Sequence, residues 1–163
     1  MNEAAPAIFA ALEASSLGAA IRQSSWIYLA ANVGHIVFLT IFAAAVAIMD
    51  LRLAGLFSAM APGVVIRNAR RVAVAALIGM VLTGAVLFTA EASHVILNPV
   101  FQFKLALIAL GLANIALFEF FTAKKVKTLP PHAPLPSSAR AAGLVSIATW
   151  IAVAICGRSI AYF

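Results

Sequence analysis

The sequence predicts an all-α integral membrane protein, a four-helix up-down bundle preceded by a short amphipathic helix lying in the membrane interface. Three observations carry this prediction. Of the 163 residues, 64% are hydrophobic and only 10% charged, and mean hydropathy is +1.08, far from the ordinary soluble mixture. Four apolar runs, at about 26–49, 72–97, 100–122 and 141–162, each cross a hydrocarbon layer of about 30 Å at roughly 1.5 Å per residue. No segments alternate as barrel strands do, and helices satisfy their own backbone hydrogen bonds in lipid. Residues 1–163 therefore read as a single membrane domain.

Residues 1–24 contain Glu3 and Glu13 and no basic residue before Arg22, so the charged opening of a secretory signal peptide is missing. Pro6 can begin a helix in which Ile8, Phe9, Leu12 and Ala19 lean to one side and Glu13, Ser15, Ser16 and Gln23 to the other. Trp26 and Tyr28 then anchor the chain where it turns inward.

The basic residues set the orientation. Arg52, Arg67, Arg70, Arg71, Lys124, Lys125, Lys127 and Arg140 fall beside the first and third connections, against Arg22, Lys104 and Arg158 on the other side. Eight against three predicts a bacterial inner-membrane protein with both termini periplasmic and two cytoplasmic loops. The same distribution accounts for the net charge of +6 without a nucleic-acid partner, because the basic residues sit in the gaps between apolar runs and build no face with interleaved aromatics. The first loop, 51–71, carries the Pro62-Gly63 break and an apolar stretch suited to the membrane surface. The second, with Pro130, Pro131, Pro134 and Pro136, reads as an extended linker in which His132 is solvated.

Small residues mark helix contacts. Ala75 and Gly79, Gly79 and Thr83, and Ala43 and Ala47 lie four apart, and Gly84, Gly111 and Gly143 add places for close backbone approach. These predict packing within a bundle and leave homo-oligomers or larger membrane complexes open. Cys156, the one cysteine, reads as a small apolar packer.

The chemistry-bearing residues form three groups. On the first span Tyr28, Asn32 and His35 follow at helical steps, and His35 lies roughly 15 Å below the outer end. A histidine at that depth needs a hydrogen-bond partner. Thr83, Thr89, Asn114, Ser146, Thr149 and Trp150 are the candidates at comparable height. At the outer rim stand Glu91, Ser93, His94, Lys104 and Arg158, either snorkelling and neutralising one another or forming a cationic pocket for carboxylates or phosphates above His35. At the inner end Asp50 can pair with Arg52, Arg67, Arg70 or Arg71, and Glu119 with Lys124 or Lys125. Proton-coupled transport through Glu119 or Asp50 is the alternative, although no acidic residue continues a relay across the midplane.

A b-type heme would need two axial ligands at similar depth, whereas His35 and His94 differ by roughly 10 Å. His35 is the better ligand. No HExxH, GxSxG, P-loop or dinucleotide fingerprint stands in its proper setting, and no nucleophile has a visible base. The leading expectation is a non-enzymatic membrane subunit or small binding protein with a His35-centred polar pocket in the outer half. A heme- or quinone-binding redox module and a small transporter or channel component are the alternatives.

Ser24-Ser25-Trp26, His35, Asp50-Leu51-Arg52-Leu53 with Gly55, Asn98-Pro99 with Phe101 and Lys104, Asn114 with Phe118, and Trp150 with Gly157-Arg158 occur in this order along nearly the whole chain. In these pieces the chain resembles a family of small four-helix bacterial inner-membrane proteins known as a domain of unknown function. The resemblance implies an integral membrane protein and supplies no reaction. Members of that family often have histidine where this chain has Glu119, a departure that bears on any metal or heme site at the inner side.

Overall fold

A computed structural model describes residues 4–162; Glu3, assigned above to the amphipathic segment, lies outside them. Four long helices dominate: α3 (Ser25–Ala54), α4 (Pro62–Ala90), α6 (Pro99–Phe121) and α8 (Ser137–Ser159). All four are long and apolar enough to cross a membrane. Short helices accompany them: α1 (Ala7–Ala14) and α2 (Ser16–Gln23) before the first span, α5 (Ala92–Leu97) after the second and α7 (Ala123–Lys127) after the third. The described residues contain no strand. This is the predicted all-α membrane bundle.

Local chemistry sets the boundaries. Ser15 accepts the Gly18 N–H and divides the amphipathic segment into α1 and α2. Ser24 caps α3 through the Ile27 N–H, and Asn98 caps α6 through the N–H groups of Val100 and Phe101. Gly55, at φ 113°, ends α3 in the left-handed region, its N–H donating to the Arg52 carbonyl. Helix α4 begins at Pro62, ten residues ahead of its apolar run. Proline at the first helical position is preorganised for a helix, and arginines are good helix formers whatever their polarity. Most of the supposed first loop is therefore helix, leaving residues 55–61 as the connection. The second connection is folded rather than a free linker: Leu135 is buried with Leu53, Ile66 and Phe118, and the His132 N–H donates to the Ser58 carbonyl at 2.7 Å.

Helix α3 is central, packing against α4 on one side and α8 on the other, and α6 packs against α8. Small residues make these approaches close, as association in lipid requires. Gly79 of α4 receives the Phe38 ring, Gly111 of α6 receives Trp150, and Gly143 of α8 lies against the Asp50 carbonyl and Leu53. Helices α4 and α6 do not pack backbone to backbone along their length. Side chains join them at the two ends. Arg70 pairs with Glu119 at 2.6 Å at the loop end, and Phe88 stacks on Phe101 with centroids 5.6 Å apart at the end where the described termini lie.

The amphipathic segment docks on that terminal end. Phe9 meets Phe88 edge to face at 5.8 Å, Arg22 donates to the Ala90 carbonyl at 3.0 Å, and the Ser93 N–H donates to Glu13 Oε2 at 2.7 Å. That backbone hydrogen bond, helped by the Ser93 hydroxyl and by Arg22 and His94, outweighs partial desolvation and holds the Glu13 carboxyl below its ordinary value.

Two outcomes follow from these contacts. A side chain at Gly143 has no room against backbone, so Gly143→Leu should destabilise the bundle by about 1–3 kcal/mol. The readout is thermal unfolding in mild detergent, followed by dye labelling of buried Cys156. Because the folded value of Glu13 lies below its unfolded one, its contribution to docking α1 is complete above the ordinary carboxylate range and is lost as pH falls through the folded value. Amides of residues 7–14 should exchange faster with solvent below about pH 4, and Glu13→Gln should remove that pH dependence.

Candidate functional site

The terminal half holds a smaller polar group than the sequence suggested. His35 is half-buried, its Nδ1 3.0 Å from the Thr83 hydroxyl and its Cε1 against Gly84. Thr83 in turn donates to the Gly79 carbonyl at 2.7 Å, so its hydroxyl proton is committed and His35 Nδ1 carries the proton it shares with Thr83. Tyr28 and Asn32 do not join them. Both are exposed, Asn32 because three residues fall short of a full turn of about 3.6. The buried neighbour is Ala31.

The rim residues are likewise dispersed. Thr89 is buried but donates to the Ala85 carbonyl of its own helix. His94 is exposed on α5, and Arg158 is exposed and donates to the Tyr162 hydroxyl at 2.7 Å, its guanidinium over that ring. Lys104 runs along Gly157 of α8 and has no hydrogen-bond or ion-pair partner among the described residues. The structure does not gather Tyr28, Asn32, His94, Lys104 and Arg158 into one pocket.

The loop half does gather its polar groups, and its centre is Asp50. This residue is 1% exposed, about one turn from the loop end of α3, and its Oδ2 has no hydrogen-bond partner. It borders a cavity of about 20 Å³ that Asn114, Ser146 and Arg70 also line, so all four spans contribute a polar group to one point. The Ser146 hydroxyl is the polar neighbour of the carboxyl. Asn114 donates to the Ala142 carbonyl at 2.9 Å and thereby ties α6 to α8 beside the cavity. A cavity of this size holds one water molecule, with enough polar partners to keep it.

The expected ion pairs are redistributed. Asp50 pairs with none of Arg52, Arg67, Arg70 or Arg71. Arg52, also buried, turns away and donates from Nε to the Met60 carbonyl at 3.0 Å, leaving its NH2 group unpartnered. One residue separates aspartate from arginine by about 200° around a helix, too far for a shared contact. Glu119 pairs with Arg70 and with Lys127, each at 2.6 Å, in place of Lys124 or Lys125. Short helix α7 turns Lys127 back toward α6. The result is a series of polar groups running from the exposed Glu119 and Lys127 through Arg70 to the Asp50 cavity.

Between the two halves lies an aromatic layer. Phe42 and Trp150 meet edge to face at 4.7 Å, and Trp150 Nε1 is buried without a partner. The layer separates the His35–Thr83 pair from the Asp50 cavity. The histidine pair that a bis-histidine heme would need is not brought together, since His35 lies against Thr83 and Gly84 and His94 is exposed on a separate helix. Residues missed or misplaced by sequence reasoning are Arg70 as a wall of the site, and Ser146 and Asn114 as neighbours of Asp50 rather than of His35. Counting residues from the helix ends carries the signal: Asn114 and Ser146 lie seven and nine residues from the loop ends of α6 and α8, well short of the height of His35.

Comparison with protein-family models, with curated proteins and with solved structures found no match to this chain.

The His35–Thr83 contact should behave as a structural lock. Thr83→Val, which leaves His35 Nδ1 half-buried without a partner, should lower stability by about 1–3 kcal/mol. In a double-mutant cycle read by thermal unfolding, adding His35→Ala to Thr83→Val should cost less than His35→Ala alone.

Proposed function

We propose that this chain is a non-enzymatic, multi-pass protein of the bacterial inner membrane, with both termini periplasmic, and that it takes up and releases a proton at Asp50. The observation that carries the reading is the Asp50 carboxyl itself: sealed inside the bundle, with one oxygen unpartnered, on a water-sized cavity. A carboxyl placed so in a membrane span is costly to keep and is a mark of ion and proton pathways. A water in the cavity would satisfy Oδ2 and carry a proton to or from it. Glu119 and Lys127, exposed at the loop end and joined through Arg70, would connect that water with the cytoplasm. The orientation is supported by the basic residues, eight of which stand at the loop end.

This reading retains the class expected from the sequence, a non-enzymatic membrane binding protein, and centres its site on Asp50 in place of His35. Asp50 and Asn114, two of the residues that carry the resemblance to the small inner-membrane family, both line this cavity. A transport role is the second reading. It is favoured by the polar groups on both sides of the Phe42–Trp150 layer, His35 and Thr83 on one side and Asp50 on the other.

The test is an infrared titration of protein reconstituted in lipid, between about pH 5 and 9. The expected result is a carboxylic C=O band that titrates, shifts in heavy water and is missing from Asp50→Asn. A band unchanged in Asp50→Asn, or none at any pH, overturns the reading. For the transport reading, proteoliposomes carrying a pH dye should collapse an imposed gradient faster than empty ones. Asp50→Asn and Glu119→Gln should both slow that collapse.

A further inference from the structure

A second site lies on the outside of the bundle and is independent of Asp50. On the face where α3 meets α4 a groove of about 380 Å³ is lined by Phe38, Ile41, Val72, Ala75, Ala76 and Arg71. Five of the six are apolar. Ala75 and Ala76 leave the depression because they carry no bulk beside the longer side chains of α3. The volume is in the range that holds a small organic ligand. Arg71 is the one charged member and stands at the loop-end boundary of the apolar run beginning at Val72. From Arg71 to Ala76 the groove follows α4 about 7.5 Å into the apolar region.

The charges around this end are distributed unequally. Glu119 is occupied by Arg70 and Lys127, and Asp50 is sealed inside the bundle. Arg71 and its helical neighbour Arg67, one turn away, are exposed and have no carboxylate or other hydrogen-bond partner among the described residues. A free guanidinium at the membrane boundary, above an apolar groove directed toward the bilayer centre, matches a molecule with one anionic end and a hydrocarbon chain. The guanidinium fork suits a phosphate, and the neighbouring Arg67 favours a headgroup of net negative charge.

We propose that this groove is a binding site for one anionic glycerophospholipid, its phosphate on Arg71 and one acyl chain against Phe38, Ile41, Val72, Ala75 and Ala76. The lipid seals the α3–α4 seam at the loop end. Its headgroup is selected by charge, and its chain by the small residues of α4.

Native mass spectrometry of the purified chain in mild detergent, titrated with phosphatidylglycerol or phosphatidylcholine of the same acyl chains, tests this. The wild-type chain should retain one phosphatidylglycerol at about fivefold lower lipid concentration than phosphatidylcholine. Arg71→Gln should abolish that preference. Ala75→Phe, which fills the groove from an exposed position, should weaken both lipids. Thermal unfolding of each variant in lipid-free detergent should match the wild type, so that a loss of binding is not a loss of fold. Equal retention of the two lipids by the wild-type chain overturns the proposal, as does an unchanged preference in Arg71→Gln. Undiminished binding in Ala75→Phe reduces the effect to general attraction by the basic end and overturns the groove. Glycerol phosphate competing as well as the whole lipid would show headgroup binding only, and would equally overturn it.

Discussion

The close approach of Gly143 to the Asp50 carbonyl is the contact on which the arrangement of this molecule depends. It brings the backbone of α8 against that of α3 at the level of an ionisable side chain. In lipid there is no hydrophobic drive to press helices together, so van der Waals contact at small residues and polar contacts between helices must do it. Once α8 is that near, Asp50 is buried and faces Ser146. The same approach lets Leu53, Ile66, Phe118 and Leu135 close over the loop end. A buried carboxyl, its cavity and the sealed core above it are thus one consequence of a missing side chain.

The two ends of the bundle are held differently. At the loop end ion pairs flank a buried apolar core, with Arg70, Glu119 and Lys127 linking α4, α6 and α7 beside Leu53, Ile66, Phe118 and Leu135. At the terminal end Phe9, Phe88 and Phe101 form a continuous aromatic series through α1, α4 and α6. Aromatic contacts of this kind keep their strength in an apolar setting, whereas exposed ion pairs weaken with salt. The amphipathic segment is therefore a packed part of the bundle's rim as well as an interfacial helix.

The four spans, their alternation and the asymmetry of basic residues could be read from the chain because each depends on properties summed over about twenty residues. The start of α4 could not be read from hydropathy. Arg67, Arg70 and Arg71 end the apolar run, yet charge does not end a helix, and Pro62 is the true start signal. Asn32 was misjudged because a face drawn through Tyr28, Asn32 and His35 drifts around the helix, while the inward stripe runs through buried Ala31 and Phe42 and half-buried His35 and Phe38. Asp50 and Arg52 looked like an ordinary interfacial pair. Their burial depends on residues far away in sequence, Gly143 and Leu135, and no local pattern contains that information. The pairing of His35 with Thr83 was within reach, since equal depth on adjacent antiparallel helices was enough to nominate it.

The absence of backbone packing between α4 and α6 bears on how the chain is assembled during synthesis. Helices α3 and α4 follow one another in the chain and form the most extensive helix pair. Helix α6, next in the chain, has only limited contact with either of them. Its extensive partner, α8, is the last span to be made. The contacts of α6 with α3 and α4 include the Phe88–Phe101 stack, the Arg70–Glu119 pair and the packing of Phe118 with Leu53 and Ile66. When α8 inserts between α3 and α6 it completes two interfaces together, so the polar groups of Asp50, Asn114 and Ser146 come into register only with the final segment.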